Sequence, residues 1–82
     1  MRNPYIRELP DDGPVVALVG KEALFGPDYA DDDWHERDNF PDMPNALSYA
    51  RLMSRMHYGT PYRIVKAEGR YAVEYVPEWL LR

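Results

Sequence analysis

The chain has no cysteine, which excludes disulfides, thiolate zinc sites and cysteine nucleophiles together and fits a reducing compartment. Histidine is nearly as scarce: His35 and His57 are too far apart to form the short-spaced pair that zinc sites use. Glycine is thinly spread, with five residues and no cluster that could cradle a phosphate. Neither a GxSxG elbow nor an HExxH helix is present. Long apolar runs are missing too. The longest, VVALV at Val15–Val19, falls far short of the roughly 20 residues of a membrane span, and MRNPYIRELP lacks the apolar core of a secretory signal. These absences point away from an enzyme, from a bound cofactor or metal and from a membrane protein. A cytoplasmic location is expected.

What is present is charge, unevenly placed. The chain of 82 residues has room for one domain and carries a net charge of −4. A domain this small hides only about 60–65% of its unfolded surface, so a shallow binding surface is easier to build than a deep cleft. Residues 8–42 hold eleven acids against two bases, whereas residues 43–82 hold six bases against three acids. Such a dipole bears on partners and encounter rates rather than on fold.

The pattern predicts an α+β domain over residues 1–82, an antiparallel sheet of about four strands with one main helix packed on one face. PYIREL (4–9) and PVVALVG (14–20) flank the turn PDDG, whose proline, aspartates and glycine each favour a reversal. The uninterrupted apolar run of the second strand suggests a central position covered on both faces. KEALF (21–25) could form a helical turn before Gly26-Pro27. PNALSYARLMSRMHYG (44–59) reads as the helix, with Asp42 or Asn45 as its cap, Pro44 in its first turn and Gly59 as its stop. At 100° per residue, Leu52, Met56, Tyr49, Met53, Ala46, His57 and Ala50 share one arc, with Arg51, Arg55 and Ser48 opposite and Leu47 outside it. YRIVKA (62–67) and RYAVEYV (70–76) surround Glu68-Gly69. A two-residue hairpin loop pairs Lys66 with Tyr71, Val65 with Ala72, Ile64 with Val73, Arg63 with Glu74 and Tyr62 with Tyr75. That register gathers an apolar face and sets opposite charges across from each other, and a slip of one residue would lose both.

Between the second strand and the helix lies an acidic loop, about residues 26–43, with neither helical nor strand periodicity. A structureless stretch this long is uncommon inside a domain and is usually functional or disordered. Its centre, DYADDDWHERDNF, holds Asp28, Asp31, Asp32, Asp33, Glu36 and Asp38 with Tyr29, Trp34 and Phe40 threaded among them. As a calcium loop starting at Asp31 it fits poorly: His35 falls fifth, Glu36 takes the place of the obligatory glycine, and Asp42 falls twelfth. Two readings remain. The carboxylates can imitate phosphates and engage a basic groove, with Tyr29 and Trp34 as anchors. Alternatively, the aromatics pin a solvated loop to the core.

A small, acidic, cysteine-free α+β chain with a carboxylate-rich loop resembles the phage-encoded inhibitors known as anti-CRISPR proteins, some of which mimic DNA. The resemblance covers size, charge and layout, and implies a stoichiometric, non-catalytic binder of a host protein complex. The expected partner is accordingly a basic protein or nucleoprotein complex, engaged by Asp28, Tyr29, Asp31, Asp32, Asp33, Trp34, Glu36 and Asp38. Nucleic acid ranks behind it, through Arg51, Arg55, Arg63 and Arg70 together with Tyr58. Arg63 consumed by Glu74 is the bland reading of one of those arginines. A third expectation is self-association as an assembly subunit, a homodimer through Trp79, Leu80 and Leu81.

Overall fold

The chain is described from a computed structural model over residues 6–8, 13–20, 29–57 and 59–80. Its best-specified part is the hairpin of β4 (Tyr62–Ala67) and β5 (Arg70–Tyr75). All five expected pairs are present, from Lys66 opposite Tyr71 to Tyr62 opposite Tyr75. The reversal needs positive φ at both loop residues, and Glu68 (54°) and Gly69 (75°) supply it. That geometry matches the twist of the strands it joins.

Strands β1 (Ile6–Glu8) and β2 (Val15–Val19) form a second antiparallel pair. β2 also pairs antiparallel with β4, with a register shift between Val15 and Ala17. Ala17, Leu18 and Val19 are all fully buried. Because successive strand residues face opposite ways, β2 is covered on both sides, as its apolar run implied.

The expected loop is the main departure. Residues 26–43 are not one loop: Asp31–Asp33 form a 3-10 turn and His35–Phe40 form a strand, β3, paired antiparallel with β5. Among the described residues the sheet therefore has five strands in the order β1-β2-β4-β5-β3. Pairing slips between Glu36 and Asp38, a bulge that resets the alternation. His35 to Asp38 are all exposed at the sheet edge. A strand that buries little and changes phase halfway leaves no period-2 signal. The proposed turn at KEALF lies outside the described residues.

β3 and β4 both run antiparallel to β5, which separates them. Helix α1 (Met43–Met56) makes the crossover between them over one face of the sheet. Asp42 caps it, its Oδ1 accepting from the Asn45 amide at 2.9 Å, and Pro44 sits in the first turn where its missing amide costs nothing. The helix face that packs differs from the expected arc. Ala46, Ala50 and Met53 are buried as expected and Leu47 packs partly, but Ser54 is buried while Leu52 and Met56 are exposed. Ser54 can be buried because Gly20, just after β2, carries no side chain to meet it. A Cβ at Gly20 would stand 2.8 Å from the Ser54 hydroxyl. His57 is the C-cap residue and exposed, outside the packed face.

Below α1 the core holds Ala17, Val19, Tyr62, Ile64 and Val73, with Phe40, Tyr71 and Tyr75 packed around it. Phe40 meets Tyr49 at 5.2 Å between ring centroids, tying β3 to the helix. Leu18, Trp34 and Val76 are buried outside that cluster.

Candidate functional site

On the sheet face away from α1, register aligns Leu18, Arg63, Glu74 and Glu36 across four strands. Arg63 is nearly buried there, and a guanidinium cannot remain so without partners. Its Nε donates to Glu74 Oε1 at 2.7 Å and its Nη1 to Asp31 Oδ1 at 3.2 Å. The indole ring of Trp34 faces the same guanidinium, 4.7 Å from its centroid. The acidic segment is thus strapped under the sheet by its own arginine. Tyr29, half-buried, closes the strap edge-on against Trp34 at 6.2 Å.

This arrangement revises two expected assignments. Trp34 is only 6% exposed, so it anchors the strap to the sheet and cannot at the same time anchor a partner. Its indole Nε1 is buried with no hydrogen-bond partner among the described residues, a real penalty. Arg63 leaves the set that could touch nucleic acid, since both its neighbours are carboxylates and its surface is covered. Arg70, although exposed, donates from Nε to Asn39 Oδ1 at 2.7 Å and ties the hairpin end to β3. Arg51 and Arg55 remain exposed on the outer face of α1.

The acids divide by role. Asp33 Oδ2 accepts from the Ala30 amide at 3.2 Å, closing the 3-10 turn. Asp31 is bound to Arg63, yet its side chain is 93% exposed and still presents charge to solvent. Asp32 is exposed. Glu36 accepts from Asn39 Nδ2 at 3.1 Å, and Asp38 accepts from the Asn39 amide at 2.8 Å. Both stay exposed, on the strand that bounds the sheet. Asp28 lies outside the described residues. Asp31, Asp32, Glu36 and Asp38 are therefore all exposed, but they do not share one face: Asp31 and Asp32 belong to the 3-10 turn strapped to β4, Glu36 lies in the row of Glu74 on the face away from α1, and Asp38 lies in the row of Val73 on the helix face. Among the described residues no three His, Cys, Asp or Glu side chains converge to hold a metal ion.

Sequence reasoning named Trp79 as a surface residue of the tail but missed the group it joins on the other side of β3. His35 lies in the row of Tyr62 and Tyr75, on the helix face, 6.3 Å from the Tyr75 ring and 5.8 Å from Trp79. Arg37, at the bulge, stacks on Tyr75 at 5.5 Å. Trp79 belongs to a second 3-10 turn, Glu78–Leu80, and is 75% exposed. Leu80 is half-buried and Leu81 lies outside the described residues. The only hint in the sequence was a tryptophan placed just after the strand-ending Pro77.

No protein-family model matches this chain, and neither a curated protein nor a solved structure does. Among the described residues, no helix is long and apolar enough to cross a membrane.

Proposed function

We propose that this is a small non-catalytic binding protein whose acidic segment engages a basic partner, a protein or nucleoprotein complex that handles nucleic acid, in the manner of an anti-CRISPR-type inhibitor. The observation that supports the reading is the exposure of these carboxylates. Asp31, Asp32, Glu36 and Asp38 are exposed on two consecutive segments; Asp31 is paired with Arg63, and Arg37, within the same stretch, is folded onto Tyr75. Their summed potential would steer a cationic surface into contact and make association fast and salt-sensitive. Cytoplasmic action belongs to the same proposal.

The test follows from the division of roles among the acids. Asp33 closes a turn, so the informative variant is Asp31→Asn with Asp32→Asn and Glu36→Gln. Partner capture from extract, followed by affinity measurement at low and high salt, should show weaker binding by the variant and a smaller salt dependence. Equal affinity of both forms at both salts removes the acidic segment from the mechanism. A second reading, nucleic-acid binding through α1, is supported by Arg51 and Arg55 standing exposed one turn apart. An electrophoretic shift that fades as salt rises would establish it; no shift at any salt would eliminate it.

A further inference from the structure

We propose that residues 29–34 are a hinged strap, one that swings away from the sheet as a unit about the Trp34–His35 junction while the strands stay paired, and so uncovers Arg63. The inference does not depend on the proposed binding of a basic partner.

Three observations lead there. First, the backbone bonds of this stretch close on themselves. The Asp33 amide donates to the Ala30 carbonyl at 2.9 Å and the Trp34 amide to the Asp31 carbonyl at 3.3 Å, while the Ala30 amide donates to Asp33 Oδ2 at 3.2 Å. Ladder pairing begins only at His35, opposite Tyr75. Among the described residues, the strap can therefore part from the sheet without breaking a backbone hydrogen bond. Second, its polar tie is weak. Asp31 reaches Arg63 at 3.2 Å from an almost fully exposed side chain, and exposed ion pairs contribute little. Glu74, at 2.7 Å, stays with Arg63 when the strap leaves. Third, closure leaves a polar group unsatisfied. Trp34 Nε1 is buried without a partner among the described residues, whereas in the open form it donates to water and that desolvation cost disappears. What holds the strap shut is the apolar burial of the indole and its contact with the Arg63 guanidinium at 4.7 Å, so the open form is a minor state. Opening changes what this face shows to solvent: Arg63 appears, still held by Glu74, and Asp31 loses its cation.

The test is hydrogen exchange of the full chain across a series of low urea concentrations. Two tryptophans give two indole proton resonances, and Trp79→Phe assigns them; Trp79, largely exposed, supplies the unprotected reference. The Trp34 indole proton should be at least about tenfold less protected than the amides of Ile64 and Val73 in the paired core, and should depend little on urea, because the opening uncovers a small area. Exchange in step with those amides, at the same urea slope, would mean that only global unfolding frees the ring, and overturns the strap. Asp31→Asn should speed the indole exchange about twofold to fivefold, the weight of an exposed ion pair. Asp32→Asn, which removes the same charge without the tie, should not speed it. No acceleration in Asp31→Asn would mean that the ring swings out alone, and equal acceleration in both variants would mean that charge rather than the tie sets the rate. Either result overturns movement as a unit.

Discussion

Arg63 shows how one residue can bind an apparently free segment to a fold. A buried ion pair is weak evidence of net stability, but removing one partner leaves an uncompensated charge. Glu74 is the partner that matters, since its side chain is 19% exposed against 93% for Asp31. Glu74→Gln should therefore destabilise by about 2–3 kcal/mol, whereas Asp31→Asn should cost under about 1 kcal/mol, as exposed pairs do. Urea unfolding of the two variants checks the ordering, and equal losses would show that the strap contributes as much as the sheet. Tyr62 makes a second case. Burial raises the pKa of its hydroxyl above the usual tyrosine value, partly opposed by the nearby Arg37 charge. The unfolded chain thus releases this proton at lower pH than the native one. Stability should be independent of this group below about pH 10 and fall above it. Tyr62→Phe should unfold less steeply than the parent in alkaline titrations; an identical alkaline limb would clear Tyr62 of the effect.

At the scale of elements, a stretch was legible where burial imposed a period. The β4–β5 register could be read because Tyr62, Ile64, Tyr71 and Val73 alternate toward the helix and Glu68-Gly69 fixes the reversal. β2 could be read because both its faces are covered. β3 could not, since an exposed edge strand with a bulge at Arg37 carries no alternation, and its charged side chains look like loop. Charged, bulged edges are also how sheets discourage pairing with other chains. Trp34 was illegible for a different reason: the sequence names an aromatic in an acidic run but not the arginine, 29 positions later, that draws it inward. Nor did helical periodicity foresee that α1 buries Ser54, which depends on Gly20 leaving space for it. The hairpin turn offers a test of its own. Glu68 sits at φ 54°, where a residue with a β-carbon is strained and asparagine is favoured. Glu68→Asn should raise stability by about 0.5–1 kcal/mol, read as a higher melting temperature in calorimetry, and no gain would mean the strain is relieved by the flanking strands.

For the whole molecule, the question is whether the charge distribution helps or opposes folding. Among the described residues the ion pairs both converge on Arg63, and one of them is largely shielded from solvent. Screening can therefore remove little attraction. The exposed carboxylates of Asp31, Asp32, Glu36 and Asp38, in contrast, concentrate charge of one sign in residues 31–38, where repulsion reaches over a Debye length of about 10 Å at 0.1 M salt. Sodium chloride added between low and moderate concentration should consequently raise the melting temperature by about 2–8 °C, the shift expected of roughly 0.5–1 kcal/mol in a domain of this size. The Asp31→Asn, Asp32→Asn, Glu36→Gln variant should start higher and respond less. A melting temperature that falls with salt would mean that paired charges outweigh repelling ones. If it rises as argued, the acidic segment holds charge that folding does not need and that a cationic partner would neutralise, so the same carboxylates that weaken the free protein would strengthen the complex.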